Sequence, residues 1–376
     1  MKRAELEIEI LAWIAQTSWR PDPARFERLA LSLFEFQYGA CEHYAHLCRS
    51  LKRIPATVSR SDEIPPVPTG AFKEFDLRCF AERETVLTFR TSGTTTDHRG
   101  RLHLDTLALY EASLLASLRK NYLSDLTGRR ATMRFLAPPP EEVPDSSLTH
   151  MFETLRRAEG SNQSRFDLRE GRLDVEALGA AIDRARRDDL PLVVAGTSFA
   201  FVHFLDAVEA GGGGEGWQLP RDSRVMETGG FKGRSREIPR ETLRAMIAHR
   251  FGLAETRVVN QYGMTELGSQ FYDSTLVDPD GPRRKLAPPW TRVRFVDPDS
   301  GDDVEEGEVG MIVIHDLANT GSIAAIQTAD LGRAILDARG RRIGFDVLGR
   351  EMGAEARGCS VATDIMLEAS GDGSVE

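Results

Sequence analysis

Three short stretches carry residue types suited to nucleotide chemistry. Thr91-Ser92-Gly93-Thr94-Thr95-Thr96 combines hydroxyls with a glycine that lets backbone N–H groups approach phosphate oxygens. Gln261-Tyr262-Gly263-Met264-Thr265-Glu266 sets an aromatic face and a carboxylate around a glycine turn. There Tyr262 can stack on an adenine ring, Thr265 can bond a phosphate oxygen, and Glu266 can hold Mg2+, a hard cation that takes oxygen ligands. Gln327-Thr328-Ala329-Asp330 adds a carboxylate able to accept from a pair of ribose hydroxyls. Each stretch also has a plainer reading. The first is then a polar turn, the second a capped strand-to-helix turn, and the third a turn aspartate before Leu331-Gly332.

Other residues leave two readings open. Phe199, Phe201, Val202, Phe204 and Leu205 fall in one helical segment, where they either line an apolar pocket or pack a core. His203, in their midst, either meets a substrate carboxylate or is a satisfied core histidine. Lys232, after the Gly229-Gly230 pair, is a phosphate or carboxylate contact or a solvated lysine. Cys41 and Cys48 invite a metal reading that fails on geometry, since seven helical residues separate them by about 10.5 Å of rise. The four cysteines form no disulfide framework.

The elements that must position these residues alternate. Glu84–Phe89 reads as a strand entering the Ser/Thr loop, and Asp105–Asn121 follows as a helix. Ala131–Ala137, Leu190–Ala195, Arg224–Met226 and Arg257–Asn260 read as strands, with helices over Val175–Arg187, Ser198–Ala210 and Pro239–Phe251. Such alternation predicts a parallel sheet flanked by helices, with ligands met beyond the carboxyl ends of the strands. Strand after strand runs into Gly, Ser or Thr there. Residues 1–53 read as helices broken near Thr17–Pro23, and Pro55–Thr69 as an extended proline-rich wrap over the surface. Beyond residue 286, Thr291–Val296, Val309–His315, Gly332–Leu336 and Arg342–Leu348 predict a small β-rich lobe. The expected division is therefore 1–70, helices and wrap; 71–285, an α/β core; and 286–376, the β-rich lobe with a C-terminal tail.

With 376 residues, 41% hydrophobic and 28% charged, the chain has the composition of a globular protein with a sizeable core. A net charge of −10 excludes a general nucleic-acid binder and requires any anionic ligand to be met by local cations or backbone N–H groups. The opening MKRAELEIEILAWIAQ is an amphipathic helix without the apolar run of a signal peptide, and no stretch reaches the length of a membrane span, so a cytoplasmic protein is expected.

In order and spacing the three stretches resemble the nucleotide motifs of the adenylate-forming enzymes, over roughly residues 60–360. Within that superfamily the chain is most similar to the acyl-protein synthetase (LuxE-type) family, the fatty-acid-activating component of bacterial fatty-acid reductases. The segments that carry this are Phe72-Lys73, Gly196-Thr197-Ser198-Phe199-Ala200-Phe201-Val202-His203, Glu227-Thr228-Gly229-Gly230-Phe231-Lys232-Gly233, Tyr262–Leu267 with Gln270-Phe271-Tyr272, and Leu348-Gly349-Arg350 leading to Glu355-Ala356-Arg357-Gly358-Cys359-Ser360. The resemblance implies an α/β adenylate-forming core plus a small β-rich lobe. It implies ATP and Mg2+, a fatty acid substrate, and an acyl-acceptor or reductase protein as partner. Ser92, Gly93, Thr94 and Thr95 would cradle the ATP phosphates, and Gly229 and Gly230 would flank the adenine or acyl-adenylate. Tyr262, beside Gly263, would pack on adenine, Thr265 and Glu266 would serve phosphate and Mg2+, and Asp330 and Arg350 would hold the ribose. Cys359 matches the cysteine that takes the acyl group as a thioester; its plainer reading is a small buried residue.

The chain departs from the superfamily pattern in three places. Thr96-Asp97-His98-Arg99 stands where a glycine and a nearby lysine are usual, leaving Arg99 or Arg101 to supply charge. Thr328-Ala329-Asp330 replaces Thr-Gly-Asp. Residues 351–376 are too few for the usual C-terminal lid with its catalytic lysine, so a truncated or absent lid is expected. The resemblance leaves two alternatives to an acyl-protein synthetase: a phenylacetate–CoA-ligase-type enzyme with Cys359 structural, or a nucleotide- or acyl-binding subunit without turnover.

Overall fold

The computed structural model describes residues 1–92, 99–126, 128, 130–211, 216–229, 238–350 and 366. The chain divides into two compact units, one of Met1–Ala116, Met264–Gln270 and Arg284–Glu376, the other of Ser117–Gly263 and Phe271–Arg283. This partition cuts through the second motif, leaving Tyr262 and Gly263 in one unit and Thr265 and Glu266 in the other.

The Ser117–Gly263 unit is built on a parallel sheet. Arg165–Phe166, Thr132–Leu136, Leu192–Thr197, Arg224–Thr228 and Val258–Tyr262 lie side by side in that order, all parallel, and Phe271–Asp273 pairs antiparallel with the last. Leu192–Thr197 reads LVVAGT and is buried on both faces, as an internal parallel strand must be. Successive side chains alternate between faces. Leu136, Leu192, Val194, Val225 and Val258 share one core with the helices Val175–Asp188, Ser198–Ala210 and Arg240–Phe251. Phe135 points the other way, its ring 5.1 Å from Phe152 and 5.0 Å from Phe166.

Side chains start these helices where the sequence offers oxygen. Asp174 accepts from the Ala177 amide and Thr197 from the Ala200 amide, satisfying N–H groups the helices leave orphaned. Ser198–Ala210 matches its sequence-based bounds residue for residue. Ser147–Glu159, which carries Phe152, is an additional helix. Its signals are present in the sequence, Ser146 as cap and apolar residues at 148, 151, 152 and 155, but Pro138–Pro140 and Pro144 in the approach read as loop.

In the other unit the helices Arg3–Ile14, Pro23–Ala40 and Glu42–Ser50 confirm the break near Thr17–Pro23, with Pro23 opening its helix behind an Asp22 cap. An antiparallel meander of Thr291–Val296, Gly310–Asp316, Ala325–Leu336 and Arg342–Arg350 follows, with Lys285–Leu286 on its last strand. Leu87–Arg90 and Arg101–Leu104 form a separate hairpin, so the Ser/Thr stretch links two antiparallel strands rather than a strand and a helix.

Two local expectations change. The proline-rich stretch lies on the surface only over its first part, where Ala56, Thr57, Ser59 and Arg60 are exposed; Ile64, Pro65, Val67 and Pro68 are buried, and Val67–Pro68 pairs parallel with Ile326-Gln327. Pro68 has no N–H to donate, so the pairing ends with Thr69 donating to the Gln327 carbonyl. The third strand of the meander runs from Ala325 rather than Gly332, which places Thr328-Ala329-Asp330 inside a strand instead of a turn. Among the described residues no helix is long and apolar enough to cross a membrane.

Candidate functional site

In the unit that holds the meander, the neck of the Ser/Thr loop is closed by backbone and side chain together. The Thr91 amide donates to the Gly100 carbonyl at 2.9 Å, and the Gly100 amide donates to Thr91 Oγ1 at 2.9 Å. Arg99 Nε donates to the Thr91 carbonyl at 2.5 Å, so its guanidinium lies against the neck, at one of the two positions expected to supply charge to the loop. Ser92 follows on the rim. Gly93, Thr94 and Thr95 lie outside the described residues.

Glu266 reaches the same neck. A methyl group placed on Gly100 would lie 3.1 Å from Thr91 Cγ2 and 3.6 Å from Glu266 Oε1, so the carboxylate stands within van der Waals reach of the neck at Gly100. Thr265 and Glu266 are 9% and 6% exposed, although no helix or strand holds them. The structure therefore brings the carboxylate of the second motif to the loop of the first. An acidic oxygen donor beside hydroxyls and a backbone amide suits a hard cation carrying phosphate.

Asp330 and Arg350 are register partners on adjacent strands, Arg350 Nε standing 3.6 Å from Asp330 Oδ1. Thr328 Oγ1 accepts from the Asp330 amide at 3.1 Å and donates to the Ile312 carbonyl at 2.9 Å, fixing the backbone beneath the carboxylate. The pairing of Asp330 with Arg350 thus has a geometric basis, and Arg350, 65% exposed along its side chain, leaves the pair open to solvent.

In the parallel-sheet unit, Gly196, Glu227 and Asn260 fall in one row across three strands at their carboxyl ends. Glu227 is buried there. Ser198 Oγ donates to its Oε2 at 2.5 Å and Asn260 Nδ2 to its Oε1 at 2.6 Å. Ser198 Oγ also lies 3.0 Å from the Gly229 carbonyl, and Gly229 holds φ +80°, a conformation suited to glycine. Tyr262 ends its strand with its ring 6.2 Å from Phe271, and Gly263 follows it. Phe199 and His203, one helical turn apart, form an edge contact of 4.6 Å. His203 is exposed and Phe199 half-buried, whereas Phe201, Val202, Phe204 and Leu205 belong to the core. Gly230 and Lys232 lie outside the described residues.

Ser198, Glu227 and Asn260 form a hydrogen-bonded polar cluster to which the sequence reading assigned no role. The available signal was Glu227 itself, an acid at the apolar end of a buried strand beside two glycines. Ser198→Ala leaves one oxygen of this buried carboxylate without its hydroxyl donor. The expected loss is about 1–3 kcal/mol, read as a lower urea midpoint. An unchanged midpoint would show that the bond contributes nothing.

The described thiols are poor nucleophiles. Burial pushes Cys41 up to about 11 and Cys48 to about 12, and Cys79 is raised as well. No group of three or more His, Cys, Asp or Glu arranged for a metal occurs among the described residues. Cys359 lies outside the described residues, as does the segment expected in place of a lid, apart from Met366.

Comparison with known proteins decides the family. The acyl-protein synthetase (LuxE) family model matches residues 23–368. The chain belongs to the LuxE acyl-protein synthetase family. It is 22% identical over 314 residues to the long-chain-fatty-acid–luciferin-component ligase of Aliivibrio fischeri, covering 81% of this chain and 78% of that protein. To the ligase of the same name from Vibrio harveyi it is 20% identical over 377 aligned positions, covering 98% and 96%. Among solved structures, an open conformation of 2-hydroxyisobutyryl-CoA ligase in complex with 2-HIB-AMP and CoA matches with a TM-score of 0.62 at 14% identity, over 89% of this chain and 76% of that one. At that identity the likeness speaks for the fold alone, which this chain shares with that CoA ligase. This LuxE-family chain has the α/β fold class expected from the sequence, while its two compact units do not follow the expected division at residues 70 and 285.

Proposed function

We propose that this LuxE-family enzyme uses ATP to activate a long-chain fatty acid and passes the acyl group to one of its own cysteines. A fatty-acid carboxylate oxygen attacks the α-phosphorus, the bond to pyrophosphate breaks, and acyl-adenylate forms. The thiolate of Cys359 then attacks the acyl carbon, the bond to AMP breaks, and a thioester remains for transfer to an acceptor or reductase protein. The observation that carries the reading is the buried Glu266 carboxylate facing the neck of the Ser/Thr loop at Gly100.

The first step joins two anions, so the site's main work is to neutralise charge and hold the groups in line. Mg2+ bound with ATP supplies part of that neutralisation, and Glu266 is the residue proposed to hold it. Ser92 with Gly93, Thr94 and Thr95 would take the phosphates, beside Thr265. Tyr262 would stack on adenine, with Gly229 and Gly230 flanking it, and Asp330 with Arg350 would hold the ribose. Lys232 is proposed to meet the phosphate or the substrate carboxylate. Phe199 and His203 stand off the core packing of their helix, which supports a role for them toward the acyl substrate.

The test is pyrophosphate exchange with and without long-chain acids, followed by labelled acid and mass measurement of the intact protein. Exchange that requires the acid, and label retained on the protein, are expected. Cys359→Ala should keep exchange and lose the label completely. Absence of acid-dependent exchange would overturn the activation step, and label persisting in Cys359→Ala would remove that cysteine from the pathway.

A further inference from the structure

Met264–Gln270 carries Thr265 and Glu266 with no helix or strand of its own, yet every residue from Thr265 to Gln270 is buried. Such a segment has no ladder to satisfy its backbone, so partners elsewhere must supply the bonds. They come from the turn that joins Gly310–Asp316 to Ala325–Leu336, about 50 residues further along the chain and in the same unit.

Asn319 is the first brace. Its amide nitrogen donates to the Glu266 carbonyl at 3.0 Å and to the Ile323 carbonyl at 2.9 Å, one donor to each loop. Its own carbonyl accepts from Gln37 Nε2 at 2.9 Å, and Gln37 Oε1 accepts from the Ala324 amide, so the brace is anchored to the Pro23–Ala40 helix. Asp316 is the second. Its Oδ1 accepts from Ser269 Oγ at 2.7 Å and from the Ala318 amide at 3.1 Å. Trp290 Nε1 donates to Ser269 Oγ at 3.1 Å and to Ser113 Oγ at 3.0 Å, which closes the network. The two loops also touch: a methyl group on Gly268 would meet the Ala318 carbonyl carbon at 3.1 Å.

We propose that Asn319 and Asp316 are positioning residues that brace the Met264–Gln270 segment and so hold Thr265 and Glu266 in the place from which they serve adenylation. The proposal rests on the reading of Glu266 given above. An amide is required at 319 because only its NH2 offers two donors in one plane to two carbonyls. The bond falls on the backbone of Glu266 itself, so a slack brace moves the carboxylate directly.

The experiment compares Asn319→Ala and Ser269→Ala with Ser322→Ala. Ser322 lies in the same turn but bonds the Leu77 carbonyl instead of the Glu266 segment. Asn319→Ala should lower kcat for pyrophosphate exchange by roughly 10- to 100-fold, because small misplacements at a reacting centre cost that much. It should also raise the Mg2+ concentration needed for half the maximal rate, and excess Mg2+ should recover part of the loss. Hydrogen exchange over residues 264–270 should quicken on the order of tenfold, the equivalent of one lost bond, with other segments unchanged. Ser269→Ala should show the same pattern more weakly, and it decides the matter if Asn319→Ala does not fold. Ser322→Ala should lower the melting temperature and leave the Mg2+ requirement alone.

Wild-type Mg2+ dependence and wild-type hydrogen exchange in both Asn319→Ala and Ser269→Ala would overturn the proposal, as would an equal kinetic change in Ser322→Ala. A wild-type protein without acid-dependent exchange would sink the adenylation reading alone, and hydrogen exchange would still judge the brace.

Discussion

Glu266→Gln is expected to lower acid-dependent pyrophosphate exchange by about 10²- to 10³-fold, the usual cost of removing one preorganised electrostatic contact from a reacting phosphate. The change is nearly isosteric and removes only the charge. The fold should survive it, because the Glu266 carbonyl and Ser269 also hold the segment and are unchanged by the substitution. Excess Mg2+ should not restore the rate, since the oxygen charge that would attract the ion is gone. That separates this variant from Asn319→Ala, in which the carboxylate is present but displaced. Near-normal exchange in Glu266→Gln would remove the carboxylate from the reaction.

The framework was legible where periodicity and burial agree. LPLVVA reads as a buried strand, found two residues further on at Leu192–Thr197, and Ser198–Ala210 declares itself by an apolar stripe and the glycines that follow. The Ser/Thr loop was legible as chemistry but not as a hairpin, because Leu87–Arg90 and Arg101–Leu104 are only four residues each, too short for their alternation to stand out. Asp330 was harder still. Aspartate disfavours strands, so local wording points to a turn. Long-range pairing with Gly310–Asp316 and Arg342–Arg350 overrides that preference and presents the side chain beside Arg350.

The braces of the site were not legible at all. Asn319 meets Glu266 across 53 positions and Gln37 across 282, distances over which a sequence carries no local signal. Asp-Leu-Ala-Asn followed by Thr-Gly-Ser reads as an exposed turn, yet Asp316, Asn319, Thr320 and Ser322 are all buried. Each spends its polar atoms on another segment: Thr320 on Glu7, Ser322 on Leu77, Asn319 on Glu266. A turn of that composition is a hub because the loops around it lack ladders of their own.

His315 and Asp316, adjacent at the end of their strand, should pull stability in opposite directions as pH changes. Burial raises the Asp316 carboxyl to about 6, against the bonds from Ser269 and Ala318 that favour its ionised form. Burial, helped by Arg294 and Arg292, lowers the His315 imidazole to about 3. The raised acid binds its proton more tightly folded than unfolded, so its contribution is present below about pH 4 and is lost as pH rises to 6. The lowered base binds its proton more weakly folded, so its contribution is full above about pH 6.5 and is lost as pH falls toward 3. Between pH 4 and 6 the two slopes are each about 1.4 kcal/mol per pH unit and of opposite sign, so they offset one another. Asp316→Asn removes one side of that balance. On going from pH 6 to pH 4 its stability should fall relative to wild type by about 3 kcal/mol, read from urea midpoints at each pH. His315→Gln should do the reverse, gaining on wild type over the same interval. Parallel pH curves for wild type and Asp316→Asn would mean that the Asp316 carboxyl is ionised throughout, held so by its donors despite burial.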